Sequence, residues 1–276
     1  MSYPTSEIVA TAPEPFTEQD FIHGRVEAIT TPGASIFMTW PHGDETLGPR
    51  TAHRLYSEYP GLLEATDYLC GNPAAAQQDP PARYIEEDLN RSYLPGSTSK
   101  SYEHGRALQT LRHIQEGGYR HILDVHTTTV EQADCMIISN AYLDTAPVQE
   151  IIAASPVSHI VVFPPEIALQ GLIGNVPGSV SIEYNRELAD RVGVNHLITT
   201  LQGLTQGAPT IKPHERGFYY VEGVIPKSED PGLDAKNFEL CKDGYYPVLF
   251  GENSYRTDPT KSYLGFRAVS RELVTV

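Results

Sequence analysis

Short apolar runs, each ending in polar or glycine-bearing residues, mark the first two thirds of the chain. The clearest are Ala34–Trp40, His121–Val125, Cys135–Ser139, His159–Phe163 and Ser179–Glu183. Unbroken apolar runs of this length predict strands covered on both faces. Between them the spacing predicts helices. Ser101–Glu116 carries Leu108, Leu111 and Ile114 at helical intervals and stops at Gly117-Gly118. Ala52–Leu69, interrupted by Pro60-Gly61, and Ala146–Ala154 read as two more. Strands alternating with helices predict an α/β fold with a mixed central sheet flanked by helices. After the glycine- and proline-bearing stretch Gly203–Pro213 the pattern becomes aromatic and β-like, in Gly217–Val221, Tyr245–Phe250 and Tyr263–Val269. This predicts two parts, an α/β domain over 1–210 and a small β-rich C-terminal lobe over 211–276, unless the glycine- and proline-bearing stretch is an internal loop.

Composition narrows the function classes. The 276 residues hold 20 Lys plus Arg against 35 Asp plus Glu, a net charge of −15. Such an excess repels phosphate backbones and argues against nucleic-acid binding. No apolar stretch is long enough to span a bilayer, and Met1–Arg25 lacks the pattern of a secretory signal. The three cysteines, Cys70, Cys135 and Cys241, are far apart and form no CxxC pair. That argues against a disulfide framework or a thiolate metal site and favours the cytoplasm.

Four features carry chemistry. His42-Gly43-Asp44-Glu45 directly follows the first apolar run. An H-x-x-E turn at a strand's end offers an imidazole and a carboxylate suited to Zn²⁺, although alone it also reads as a surface turn. His126, in Asp124–Thr129, sits at the end of another predicted strand and is a natural third ligand. Two histidines and a glutamate leave a fourth position open, as in catalytic zinc sites. Asp124, two residues earlier, is placed to orient that imidazole. Arg83–Arg91 (RYIEEDLNR) combines two arginines and an asparagine with three acids. It reads either as solvated ion pairs or as a clamp for a carboxylate with a second arginine on a carbonyl. Glu183, closing an apolar strand in Ser181–Tyr184, is poised for partial burial and general-base work, or is a rim glutamate.

Together these pieces resemble the aspartoacylase/succinylglutamate desuccinylase branch of the zinc carboxypeptidase superfamily. The resemblance rests on HGDE (42–45), GNP (71–73), RYIEEDLNR (83–91), YEHGRA (102–107), DVHTTT (124–129), SIEY (181–184) and, more weakly, GENSY (251–255). It implies one Zn²⁺ per chain held by His42, Glu45 and His126. It implies Glu183 as general base, Arg83 as the group that polarises the scissile carbonyl, and Asn90 with Arg91 as the carboxylate clamp. Tyr255 and Glu252 match a segment that closes the substrate pocket. The implied reaction is hydrolysis of an amide in a small N-acyl amino acid.

Two departures bear on this. The family's usual HGNE is here HGDE, adding a charge at Asp44. No Lys or Arg occurs from His121 through Asn185, whereas aspartoacylases carry an arginine before the SIEY-like glutamate that reads a second substrate carboxylate. The stretch 169–181 (LQGLIGNVPGSVS) is small and apolar instead. The site is therefore expected to need one substrate carboxylate, through Arg91, unless a cation such as Arg50 or Lys227 replaces the missing arginine. Two other functions compete, a metallocarboxypeptidase acting on short peptides and a metal-bound binding module. The presence of Glu183 beside three ligands argues against the second. Oligomeric state is left open.

Overall fold

The computed structural model describes residues 16–206, 215–232, 235–258 and 261–275. Ten strands form one sheet: β1 (Ala28–Ile29), β2 (Ile36–Trp40), β3 (Thr66–Cys70), β4 (His121–Thr128), β5 (Cys135–Ser139), β6 (His159–Phe163), β7 (Ser179–Asn185), β8 (Glu215–Pro226), β9 (Tyr246–Val248) and β10 (Tyr263–Thr275). Their order is β1-β3-β2-β4-β7-β5-β6-β8-β10-β9. Pairings β3–β2, β2–β4, β4–β7, β5–β6 and β6–β8 are parallel. Those at β1–β3, β7–β5, β8–β10 and β10–β9 are antiparallel. This is the expected mixed sheet. Helices α1 (Leu47–Glu58), α2 (Tyr102–Gly117), α3 (Ala146–Ala154) and α4 (Val194–Gln206) flank it.

The sequence pattern fails in one place. The helix expected over Ala52–Leu69 ends early: α1 stops at Glu58, a four-residue helix follows at Pro60–Leu63, and Thr66–Cys70 is strand β3. Pro60 breaks the helical hydrogen bonding. Beyond it Thr66, Tyr68 and Cys70 present a β-type alternation that pairs in parallel with Ile36, Met38 and Trp40. The predicted division at 210/211 lies outside the described residues. Strands beyond it extend the same sheet, since β8 pairs with β6 from His159↔Gly217 to Val162↔Tyr220.

The largest core cluster packs one face of the sheet against α1, α3 and α4, with Trp40, Leu47, Leu55, Ile151 and Leu197 all essentially inaccessible. Each such side chain contributes about 1.5–3 kcal/mol relative to exposure. Against that background β4 stands out. All eight of its residues are buried, yet they include Asp124, His126, Thr127 and Thr128. Buried polar groups persist only where they find partners, and the partners here come from β4 itself, the turn after β2, β7 and the C-terminal segment. β2, β4 and β7 run in the same direction side by side, so their C-terminal ends form one rim, where open α/β sheets place their ligands.

Candidate metal centre

The rim gathers residues distant in sequence. Trp40 ends β2, and the turn after it supplies His42 and Glu45. Gly43 is required in that turn because a Cβ would lie 2.3 Å from the backbone nitrogen of Ala76. β4 supplies His126, and the β4–β7 register sets Glu183 directly beside it. His42, Glu45 and His126 are each at most 2% exposed. Their nitrogen and oxygen atoms lie within 4.8 Å of one another, so the group could hold a metal ion.

The hydrogen bonding around the two imidazoles is informative. His42 Nε2 meets Asp88 Oδ1 at 2.9 Å, and His126 Nε2 meets Asp124 Oδ2 at 3.0 Å. Ser181 Oγ donates to the same Asp124 oxygen at 3.2 Å. Once each Nε2–H donates to its carboxylate, both Nδ1 atoms carry lone pairs. Those lone pairs face Glu45, at 2.8 Å for His42 and 3.5 Å for His126. Acceptors aimed at acceptors require a positive charge between them, either protons or a cation. Desolvation works against protonating both rings, as does Arg83 at His42. Glu45 and Asp88 at His42, and Asp124 and Glu183 at His126, nevertheless hold both above the ordinary histidine range. Two imidazoles and a carboxylate, each ring braced by an outer carboxylate, is a donor set that fits Zn²⁺. The backbone N–H of Thr127 donates to Glu45 Oε2 at 3.0 Å and fixes the carboxylate's plane.

The remaining sequence candidates surround this cluster. Arg83 places Nη1 3.4 Å from Glu45 and Nη2 3.5 Å from Asp88. Burial works against its charge, and Asp88 with Glu45 outweighs it. Asn90 and Arg91 lie in a single turn, Leu89–Arg91, nucleated by Asp88, whose Oδ1 accepts from Asn90 N–H. Glu252 Oε2 accepts from Thr128 Oγ1 at 2.6 Å and Thr129 N–H at 2.8 Å, tying the C-terminal segment to the end of β4. It also caps a short helix, α5 (Asn253–Thr257), that carries the buried Tyr255. All ten residues singled out from sequence thus sit at this rim. Nine line one cavity of about 30 Å³, and Asp124 sits behind His126. A neighbouring cavity of about 350 Å³ shares Arg83 and Ser254 with it.

Three participants escaped the sequence reading. Asp88 braces His42; its signal was the Asp-x-Asn spacing, which makes a turn and hides the second role. Lys261 lies 3.8 Å from Asp88 and 5.0 Å from the Tyr255 ring centre, with no signal in its surroundings. Arg186, one residue past the cation-free stretch, donates to Asp44 at 3.1 Å, so the extra charge of HGDE is paired away from the cluster. Neither Arg50 nor Lys227 lines the cavity; Arg50 meets Glu18, and Lys227 donates to the Asp258 carbonyl. Among the described residues no helix is long and apolar enough to cross a membrane.

Residues 39–164 match the family described as the succinylglutamate desuccinylase/aspartoacylase catalytic domain. No curated protein sequence matches the chain. Solved structures resemble it in fold. Murine aminoacylase 3 is 20% identical with a TM-score of 0.65, covering 90% of this chain and 98% of its own. Succinylglutamate desuccinylase from Vibrio parahaemolyticus is 13% identical with a TM-score of 0.65, covering 91% and 90%. The product-bound ectoine utilization protein EutE (DoeB) from Ruegeria pomeroyi is 18% identical with a TM-score of 0.54, covering 90% and 82%.

Proposed function

Because residues 39–164 match the succinylglutamate desuccinylase/aspartoacylase catalytic-domain family, we propose that the chain is a zinc-dependent deacylase of small N-acyl amino acids. The observation that carries the zinc assignment is the buried meeting of two imidazole lone pairs with the Glu45 carboxylate. Zinc held there would supply Lewis acidity and lower the pKa of a water.

The chain's own residues account for the rest. Arg91 and Asn90 grip the substrate carboxylate and set the amide's orientation. Arg83, kept charged by its two acidic neighbours, stabilises negative charge developing on the acyl oxygen. Glu183 takes a proton from the attacking water and returns it to the departing nitrogen. Glu252 and Tyr255 cap the cavity from the C-terminal part of the chain, which favours small substrates over peptides.

One carboxylate suffices in this reading. Ile173, in the stretch lacking an arginine, is buried in an apolar cluster with Leu249 and Tyr255. The test is a panel of N-acyl amino acids, dicarboxylate analogues and short peptides offered to the zinc-loaded protein. Monocarboxylate N-acyl amino acids should be hydrolysed with kcat/KM at least equal to that of dicarboxylates. Dicarboxylates winning by orders of magnitude would refute the one-carboxylate pocket. Stepwise trimming of peptides from the C-terminus would make the protein a carboxypeptidase instead.

Burial pushes the Glu183 carboxyl up to about 7 from 4.5, against the pull of His126 and with help from Glu45 and Glu252. A raised folded-state pKa penalises the fold once the group ionises. The penalty is absent below 4.5, grows up to about 7, and is full above that. Chelator-treated Glu183→Gln is therefore expected to be more stable than chelator-treated wild type above neutrality, by on the order of 3 kcal/mol. The gain should vanish in acid. Melting curves across pH check this, and coincident curves at alkaline pH would contradict it.

A further inference from the structure

The segment 83–91 carries Arg83, Asp88, Asn90 and Arg91 but, among the described residues, its only regular structure is the turn Leu89–Arg91. Its outward side chains do not anchor it, since Tyr84 and Ile85 are 39% and 42% exposed. The anchor is polar. Glu103, in the first turn of α2, is completely buried. Its carboxylate accepts from three successive backbone N–H groups, Ile85 at 2.6 Å and Glu86 and Glu87 at 3.2 Å each. A fourth bond comes from Asn72 Nδ2 at 3.0 Å. Successive amides turned toward one anion form a concave nest, and here the anion is a side chain of the protein itself.

The clasp is reciprocal. Glu86 accepts from the Tyr102 N–H that opens α2, and Glu87 accepts from Ser101 Oγ and, at 2.9 Å, from Ser99 Oγ. Carboxylates at a helix N-terminus are favoured by its exposed N–H groups. Glu103 lies in the same turn but spends its acceptors on the segment instead. The pinned amides stand two residues after Arg83 and one before Asp88. They therefore fix both the guanidinium and the carboxylate that braces His42 at 2.9 Å. Gly43 N–H donates to the Arg83 carbonyl at 3.3 Å, joining the same segment to the turn that carries His42 and Glu45.

We propose that Glu103 is a positioning residue for the deacylation argued above. It holds segment 83–91 in register with the metal cluster and acts through Arg83 and Asp88 without touching substrate. This rests on the deacylase reading for its kinetic consequence, whereas the clasp stands independently.

The test uses the full-length zinc-loaded protein and the variants Glu103→Gln and Glu103→Asp. Glu103→Gln cannot accept all four donors with its single oxygen. Amides 85–87 should exchange with solvent at least about tenfold faster, while Ala107–Ile114 of α2 keep their protection and zinc content stays at one. kcat should fall roughly tenfold to a hundredfold, the scale of a 1 Å misplacement, with a smaller change in KM. Combined with Arg83→Lys the losses should be strongly non-additive, because both act through one guanidinium; a purely structural loss would add. Glu103→Asp, which keeps both oxygens, should recover part of the activity. Unchanged exchange at 85–87, wild-type kcat despite fast exchange, or additive losses would each overturn the proposal. So would failure of both variants to fold, which would make Glu103 a folding residue. A wild type inactive on every acyl amino acid would refute the deacylase reading alone, and the exchange result would still decide the clasp.

Discussion

Glu183→Gln should lower kcat by roughly a hundred- to ten-thousand-fold, the range for losing a positioned general base. KM should change little, because the proposed carboxylate grip lies with Asn90 and Arg91. Zinc content should also stay constant, because Glu183 is outside the candidate ligand trio. The substitution is nearly isosteric and leaves a side chain that cannot accept the proton. Geometry supports this assignment over the other carboxylates at the rim. Glu45 faces both imidazoles, Asp124 and Asp88 are each bonded to a ring nitrogen, and Glu252 is bonded to Thr128 and Thr129. Glu183 is raised to about 7 by burial and stands beside His126 in register. Steady-state kinetics with metal analysis on the same preparations would check it. Full activity in the variant would remove Glu183 from the mechanism, and lost zinc would move it into the ligand set.

Much of this rim is legible in the sequence for a physical reason. A strand buried on both faces is written as an apolar run, so polar residues at its end are conspicuous. His42, His126 and Glu183 were each visible that way, and parallel pairing of β2, β4 and β7 aligned their ends. β3 was hidden because Thr66–Cys70 follows helical spacing closely enough to pass as its continuation; only pairing with β2 decides otherwise. The carboxylates of 86–88 were illegible for a different reason. Three adjacent acids look alike in one dimension, yet Glu86 and Glu87 grip the start of α2 while Asp88 reaches His42. Similarly, nothing in GNP and YEHGRA as sequence joins Asn72 to Glu103, yet the two meet in space at 3.0 Å. Side-chain direction in a loop depends on partners far along the chain, which local pattern does not encode.

Glu45→Ala and His126→Ala should each reduce bound zinc from one per chain to near zero and abolish hydrolysis. Ligand count decides the outcome. Three protein ligands with one open position are the minimum of a catalytic zinc site, and Glu45 is the central member because both Nδ1 atoms face it. Its removal also leaves Arg83 and Thr127 N–H without an acceptor they now share. The outer carboxylates should behave differently. Asp124→Asn and Asp88→Asn retain the candidate ligand trio and weaken the brace that fixes each ring's tautomer, Asp88→Asn also losing its charge opposite Arg83 and Lys261, so zinc affinity should fall by roughly ten- to a hundredfold. Excess zinc should then restore activity to these two variants and leave Glu45→Ala inactive. Competitive chelator titration followed by zinc add-back separates the two classes. If Glu45→Ala bound zinc as tightly as wild type, the cluster would not be the metal site, and the 2.8 Å contact between His42 and Glu45 would be a protonated ion pair instead.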